Sequence, residues 1–185
     1  MSDAGYKIRD QEEIHFITAT VVQWIDVFSR QMYSDIVVES LKYCQEHKGL
    51  KIYAWCIMSN HIHLVCSTNS PHRLSDVIRD FKKFTSSKII QAIVANERER
   101  RKNWMLWIFK KAGEQNKRNE IYQFWQQGNH PIACNTNELL STRILYVHEN
   151  PVRAGIIRFA GDYLYSSGID YYYDKKGLID IVYAG

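Results

Sequence analysis

Glycine and proline are scarce in this sequence, with 9 and 3 residues among 185, which excludes collagen-like and linker-dominated architectures. No apolar run approaches the ~18 residues of a membrane-spanning helix, and residues 1–10 lack the hydrophobic core of a secretory signal. None of the four cysteines forms a CxxC pair, which argues against a zinc ribbon or a thioredoxin-type centre. We therefore expect a cytoplasmic protein with no membrane partner, whose cysteines are reduced and partly buried.

The composition itself is typical of one globular domain. Hydrophobic residues make up 45% of the chain and charged residues 24%, and a length of 185 residues is usual for a single domain. The chain has 24 lysines and arginines against 20 aspartates and glutamates, a formal net charge of +4. This mildly basic balance is compatible with a nucleic-acid partner but does not establish one.

The hydrophobic pattern predicts an alternation of strands and helices. Segments rich in β-branched and aromatic residues predict three strands, the last two joined as a hairpin: residues 14–24, 51–58 and 61–68. Helical periodicity and one further apolar run add helices at 34–47, 75–96 and 137–148, and a strand at 121–126. The order β-α-β-β-α-β-α predicts an α+β fold of the ferredoxin-like, split βαβ type, with an antiparallel sheet and helices packed on one face.

His61 and His63 are the strongest local signal for chemistry. Side chains two residues apart on a strand point to the same face, with their Cα atoms roughly 6.5 Å apart. Both imidazoles can then bind one cation, so the pair is a candidate metal half-site that needs at least one further ligand. Two surface histidines on one face of the sheet are the alternative, and the spacing alone leaves both interpretations open.

Tyr146 and Asn150 lie four residues apart in the last predicted helix and therefore share a helix face. A tyrosine hydroxyl can act as a covalent nucleophile, and an amide oxygen can bind a hard cation. Helical tyrosines are more often half-buried packing residues, and Asn150 before a proline also fits a helix terminus. Helical spacing alone therefore assigns no role to this pair.

A basic segment, defined here as residues 98–118, has a net charge of +6, which exceeds the +4 of the whole chain. It sets eight cations against Glu99 and Glu114: Arg98, Arg100, Arg101, Lys102, Lys110, Lys111, Lys117 and Arg118. Trp104, Trp107 and Phe109 are interleaved with them. Cations for phosphates and aromatic rings for base stacking suit a single-stranded nucleic acid. The alternative is a solvated face with its aromatic rings in the core, and a solvent face is also predicted for Arg79, Lys82 and Lys83.

Three sequence blocks taken together resemble the single-tyrosine HUH transposases, in particular the branch of REP-associated tyrosine transposases. They are MSNHIHLV at residues 58–65, WQQG at 125–128 and YVHENPVRAG at 146–155. Their order and separation also agree with that branch, and the resemblance covers residues 14–160. It implies a transposase domain over residues 1–160, with residues 161–185 as a C-terminal tail packed on this domain or extending it.

The resemblance also implies the functional residues. Tyr146 would be the nucleophile, and His61, His63 and Asn150 would bind a divalent metal, Mg²⁺ or Mn²⁺. The implied fold is ferredoxin-like with a C-terminal tyrosine-bearing helix, and the implied partner is single-stranded DNA with a hairpin; a homodimer is compatible with it. We predict DNA contacts from eight residues: Arg98, Arg100, Arg101, Lys102, Lys110, Lys111, Trp125 and His130.

The implied reaction is cleavage and rejoining of single-stranded DNA through a 5′-phosphotyrosine intermediate. Attack of the Tyr146 hydroxyl on a phosphate frees a 3′-hydroxyl, and a 3′-hydroxyl of a second strand can then displace the tyrosine without ATP. Two alternatives stay open: a metal-dependent nuclease that uses the histidines without a covalent step, and a catalytically inactive DNA-binding relative.

Overall fold

The computed structural model describes residues 8–116 and 121–183. Within these residues the strands are β1 (His15–Thr20), β2 (Leu50–Ile57), β3 (His61–Thr68) and β4 (Ile132–Ala133). The α-helices are α1 (Gln31–Lys48), α2 (Leu74–Ala95), α3 (Lys102–Glu114), α4 (Asn137–Arg153) and α5 (Gly168–Tyr173). No helix in this part of the chain is long and apolar enough to cross a lipid bilayer.

The strands form one antiparallel sheet in the order β2-β3-β1-β4. β1 and β3 pair along their lengths, from His15 opposite Cys66 to Thr20 opposite His61. β2 and β3 form the predicted hairpin. The split βαβ connectivity and the antiparallel order confirm the predicted α+β, ferredoxin-like architecture.

Each face of the sheet carries its own apolar cluster, because alternate residues of a strand point to opposite sides. On one face Ile17 and Leu64 join the main core with buried residues of α1 and α2. On the other face Phe16 and Val65 join a smaller cluster that includes Val147 of α4. The helix that bears the tyrosine therefore packs on the face of the sheet opposite to α1 and α2, and His61 and His63 point toward it. The prediction that the helices pack on one face is correct for α1 and α2 but wrong for α4.

The region after α2 differs from the sequence prediction. No helix is predicted over residues 102–114, yet they form α3, with Met105 and Phe109 buried one turn apart. The predicted strand at 121–126 is wrong, since only Trp125 forms a bridge there and β4 is the fourth strand. The physical reason is packing: Phe124 and Trp125 are both buried in the core, and the Phe124 ring lies 5.2 Å from that of Phe109.

α4 continues past its predicted end and includes Pro151 in its last turn. The backbone N–H of Ala154 still donates to the carbonyl oxygen of Asn150 (3.0 Å), and Gly155, at φ +70°, then turns the chain away. Because side chains at i and i+7 share a helix face, the extra turn places Arg153 on the same face as Tyr146.

The segment after α4 returns to the outer strand of the sheet. The N–H of Ile57 donates to the carbonyl oxygen of Tyr165 (2.9 Å), and the N–H of Ser167 donates to that of Trp55 (3.0 Å). Ile179 is fully buried in the main core. These contacts tie residues 161–183 to β2.

His148, which contacts this segment, makes the stability of the fold depend on pH. It is buried on α4, with Nε2 2.8 Å from the Ser167 hydroxyl, and burial lowers its pKa to about 4. The unfolded chain, with a histidine pKa near ~6.5, therefore takes up a proton first. This contribution to stability is present above about pH 6.5 and is lost as the pH falls toward about 4.

We expect wild-type protein to lose about 2 kcal/mol more unfolding free energy than His148→Gln between pH 7 and pH 4.5. Glutamine keeps a polar partner for Ser167 but cannot take up the proton. Urea denaturation at both pH values, in chelator, measures the difference. Equal losses in the two proteins would contradict the buried, neutral state of His148.

Candidate functional site

The two histidines of β3 converge on one point, on the α4 side of the sheet. Their Nε2 atoms lie 3.1 Å apart and their ring centroids 4.7 Å apart. His63 is buried and His61 is half-buried, so the pair opens toward solvent on the His61 side. The structure thus places the two imidazole nitrogens close together on one face of β3, as the strand alternation predicts, and the pair remains a candidate metal half-site.

The outer nitrogen of each imidazole has a partner of its own. His61 Nδ1 lies 2.7 Å from Asn60 Oδ1. His63 Nδ1 lies 2.9 Å from the hydroxyl of Thr18, the residue of β1 that pairs with His63. An amide oxygen accepts, and a hydroxyl can accept, so both Nδ1 atoms can carry the proton. The Nε2 atoms then keep their lone pairs for a cation, the arrangement typical of metal-binding histidines.

Burial keeps both imidazoles neutral at pH 7. It lowers the pKa of His61, and it lowers that of His63 to about 3, with the positive charges of His61 and Arg153 adding to the shift. Because metals bind the neutral imidazole, no proton has to be displaced from either ring near neutral pH.

Tyr146 lies beside this pair, although it comes from a distant part of the chain. Its ring centroid is 5.5 Å from that of His63 and 5.7 Å from that of Phe16. The guanidinium carbon of Arg153 lies 4.7 Å from the centre of the same ring, and Arg153 Nη2 donates to the Tyr146 carbonyl oxygen (3.1 Å). Tyr146 is half-buried, so its position combines packing with access to solvent.

Asn150 lies one turn after Tyr146 on α4 and is also half-buried. Among the described residues no group of three or more His, Cys, Asp or Glu side chains could hold a metal ion. The resemblance implies Asn150 as the third ligand, and its amide oxygen is a ligand type that Mg²⁺ and Mn²⁺ accept. Two imidazoles and one amide oxygen would fit Mn²⁺ better than Mg²⁺, because Mn²⁺ accepts nitrogen ligands more readily.

The basic segment divides into exposed and internally bonded residues. Arg98, Arg100, Lys110 and Lys111 are exposed, as are Trp104 and Trp107 on α3. Lys111 Nζ lies 4.5 Å from the centre of the Trp107 ring. Two further cations predicted in this segment, at positions 117 and 118, lie outside the described residues. The exposed residues provide both cations and aromatic rings, as a nucleic-acid surface requires.

Arg101 and Lys102 contribute to the fold itself. Arg101 contacts Glu99 (3.2 Å) and Asp26 (2.6 Å), and Glu99 also binds Arg30 (2.7 Å). Burial raises the pKa of Glu99, but hydrogen bonds from both arginines outweigh it, and the pKa lies below its usual value. Lys102 Nζ donates to the carbonyl oxygen of Val94 (2.9 Å) at the end of α2. These bonds join α3 to the turn after β1 and to α2.

Trp125 is a core residue rather than an exposed stacking surface. It is buried, and its indole N–H donates to the hydroxyl of Thr85 (3.0 Å). Its ring lies 4.8 Å from that of Phe124. In this conformation no face of the ring is open to a base, so the structure does not support the predicted DNA contact from Trp125.

His130 is exposed at the end of a loop that Lys82 holds in place. Lys82 Nζ donates to the carbonyl oxygens of Gln126 (2.9 Å) and Gly128 (3.2 Å) and to Asn129 Oδ1 (2.8 Å). Because these three bonds turn the ammonium group inward, the predicted place of Lys82 on a solvent face is wrong, and burial lowers its pKa to about 8. The same loop reaches the site, since the N–H of Thr18 donates to the carbonyl oxygen of Asn129 (3.0 Å).

Sequence reasoning missed the residues that support the histidines. Thr18 is one of several β-branched residues in β1, and only the pairing register shows that it faces His63. Asn60 directly precedes His61, so its place in the hairpin turn was the available signal. Such partners orient the imidazoles and influence metal affinity.

Comparisons with known proteins show the fold and the family of the chain. The chain has a fold similar to a solved REP-associated tyrosine transposase bound to a REP hairpin, with a TM-score of 0.63 and 15% sequence identity, over 95% of this chain and 87% of that one. No curated protein sequence matches it. The family model described as IS200-like transposase matches residues 10–112, a stretch that contains both histidines and ends before α4. Since this match spans more than half of the sequence, the chain belongs to the IS200-like transposase family.

Proposed function

We propose that this transposase cleaves and rejoins single-stranded DNA through a covalent bond between Tyr146 and a DNA 5′-phosphate. The observation that carries the proposal is the position of Tyr146 beside the histidine pair, with its ring 5.5 Å from that of His63. A nucleophile that can form a covalent intermediate thus lies next to a candidate cation site. The family membership supports the same reaction class.

In the covalent step the Tyr146 oxygen attacks the phosphorus and the bond from phosphorus to the 3′-oxygen breaks. The phenol proton is lost to solvent, and the 3′-oxygen leaves as a hydroxyl after taking up a proton. A divalent cation, when bound by His61, His63 and Asn150, supplies Lewis-acid stabilisation of the phosphate charge. Arg153, beside the Tyr146 ring, adds a positive charge that attracts the phosphate.

The return step joins DNA. A 3′-hydroxyl attacks the phosphotyrosine, forms the new phosphodiester bond and releases Tyr146 with its proton. One phosphodiester bond is broken and one is made, so the reaction consumes no nucleotide.

The DNA partner is proposed to be a single strand that carries a hairpin. The solved structure with a similar fold is described as bound to a REP hairpin, which supports this choice of partner. Exposed cations and tryptophans on α3 support an unpaired strand, because phosphates bind cations and unstacked bases bind aromatic rings.

A covalent-trapping experiment tests the proposal. Hairpin-bearing strands labelled at the 5′ end or at the 3′ end are incubated with the protein and Mg²⁺ or Mn²⁺, then separated in detergent. A 5′-phosphotyrosine intermediate puts the 3′-end label on the protein and leaves the 5′-labelled fragment free with a 3′-hydroxyl. A chelator should abolish the adduct.

Other outcomes of this experiment identify the rival functions. Metal-dependent cleavage without a protein adduct would support a nuclease that uses no covalent intermediate. Binding without cleavage in either ion would support a relative that has lost catalysis. An adduct that carries the 5′-end label would contradict the proposed polarity of the linkage.

Charge reversal on α3 and at Arg100, just before it, should weaken DNA binding. Because Arg101 and Lys102 are bonded within the protein, we choose the exposed Arg100, Lys110 and Lys111 and replace all three with glutamate. We expect the Kd to rise at least about tenfold at low salt, and the slope of log K against log salt to become less negative by about 2. Filter binding over a salt series measures both. Lys42→Glu on α1 is the control, and an unchanged triple variant would exclude α3 from the DNA surface.

A further inference from the structure

Trp24 is an exposed tryptophan beside the histidine pair, and the proposed chemistry does not use it. Its side chain is 60% exposed, although large aromatic residues usually contribute to a core. Its ring centroid lies 6.0 Å from that of His61, with the ring planes 75° apart. A flat ring in solvent next to a candidate phosphate site is the type of surface on which nucleobases stack.

The backbone holds this indole in place in an unfavourable conformation. Gln23 and Trp24 have φ values of +53° and +54°, in the left-handed region that residues other than glycine rarely adopt. The N–H of Trp24 donates to the carbonyl oxygen of Val21 (3.1 Å), and the N–H of Val22 donates to that of Phe124 (2.9 Å). Such strain persists where the surrounding structure fixes the conformation, and it recurs at ligand-binding positions.

Asn60 links the exposed ring to the histidine pair. Its Nδ2 donates to the carbonyl oxygen of Trp24 (3.3 Å), while its Oδ1 lies 2.7 Å from His61 Nδ1. One side chain therefore positions both the imidazole that would bind the cation and the backbone that carries the indole. The spacing between the ring and the histidine pair is built into the fold.

The charge around the indole also suits an anionic strand. Asp26, two residues after Trp24, is the acidic group nearest to it in sequence, and its Oδ1 lies 2.6 Å from Arg101 Nη1. Arg101 thereby compensates a carboxylate that would otherwise repel a phosphate.

We propose that Trp24 is the stacking platform for a nucleobase adjacent to the phosphate that Tyr146 attacks. This inference rests on the proposed function, because it takes the position of that phosphate from the histidine pair. Every base has a face that can stack, so Trp24 contributes affinity and placement of the strand rather than choice of sequence. A fixed base on one side of the phosphate limits how the strand can lie across Tyr146.

The test combines protein variants with DNA that lacks single bases. Trp24→Ala, Trp24→Phe and the control Tyr43→Ala are made in Tyr146→Phe protein, so that binding is measured without covalent attachment. Tyr43 is similarly exposed, at 55%, but lies on α1, on the other side of the sheet. Each protein is titrated with single strands that carry one abasic site at successive positions around the cleaved phosphate.

We expect Trp24→Ala to raise the Kd for intact DNA about tenfold, and Trp24→Phe and Tyr43→Ala to raise it less than about threefold. One abasic position next to the cleaved phosphate should weaken binding about tenfold when Trp24 is present and less than about twofold in Trp24→Ala. If removal of one particular base weakens binding only when Trp24 is present, that base stacks on the Trp24 indole. Thermal melting checks that each variant folds.

Two results would overturn the inference. Trp24→Ala could bind intact DNA as tightly as Tyr43→Ala, or every abasic position could act independently of Trp24. Wild-type protein is run in the covalent-trapping experiment on the same strands. An adduct with no effect of Trp24 overturns the stacking role alone, whereas the lack of any adduct in wild type overturns the proposed function together with it.

Discussion

Replacing Tyr146 with phenylalanine is expected to abolish the covalent protein–DNA adduct and to lower strand cleavage at least about a thousandfold. The substitution removes only the hydroxyl oxygen, which is the atom proposed to attack phosphorus. It keeps an aromatic ring for the contacts with Phe16 and His63 and for the Arg153 guanidinium. Folding should therefore be preserved, and loss of the adduct would report the loss of the nucleophile. A denaturing gel with labelled DNA, together with a thermal melt, measures both.

The matched control is Tyr172→Phe. Tyr172 is a partly exposed tyrosine on α5, and its ring lies 5.9 Å from that of His148 rather than near the histidine pair. This variant should form the adduct as wild type does. If the adduct survives in Tyr146→Phe and disappears in Tyr172→Phe, the nucleophile lies in the C-terminal segment and the assignment of Tyr146 is wrong.

Replacing His61 with alanine is expected to weaken Mn²⁺ binding at least about a hundredfold and to abolish the adduct, because one of two converging imidazoles is lost. His61 is the better choice of the two because it is half-buried, so its removal leaves a smaller defect than loss of the buried His63. Calorimetric titration with Mn²⁺ near pH 7, where both imidazoles are neutral, measures the affinity. His47→Ala, on α1, should leave that affinity unchanged.

Thr18→Val should weaken Mn²⁺ binding to a smaller extent than His61→Ala. Valine keeps the branched shape but removes the hydroxyl that lies 2.9 Å from His63 Nδ1. Mn²⁺ affinity should fall by about 10- to 100-fold, less than after loss of a ligand. Full affinity in Thr18→Val would show that the hydroxyl does not orient His63, and full affinity in His61→Ala would exclude the pair as a metal site.

The parts of the site that could be predicted from sequence depend on short-range periodicity. His61 and His63 share a face because strand residues alternate, and Tyr146 and Asn150 share one because helix residues repeat after four. The β2–β3 hairpin and the order of the elements could also be predicted, because both follow from patterns among residues close together in the sequence. The resemblance supplied what periodicity lacks, the expectation that the strand and the helix meet.

The parts that could not be predicted depend on long-range contacts. α3 was missed because exposed Trp104 and Trp107 obscure the buried stripe of Met105 and Phe109. Trp125 looks the same in sequence whether its indole meets Thr85 or a base. Burial of a charged side chain by partners far along the chain, as for Lys82, leaves no local pattern at all.

The separation of the two apolar clusters has a consequence for how the protein tolerates change. The larger cluster, between the sheet and α1 and α2, carries most of the buried surface, whereas α4 is anchored through the smaller cluster on the opposite face. A cavity in the larger cluster chiefly lowers the fraction of folded molecules. The same loss beneath α4 removes packing under the helix that carries Tyr146 and Asn150, so we expect it to disturb the positions of both residues. We therefore expect core substitutions on the α1 and α2 side of the sheet to affect mainly stability. Core substitutions on the α4 side should affect mainly the geometry of the candidate site.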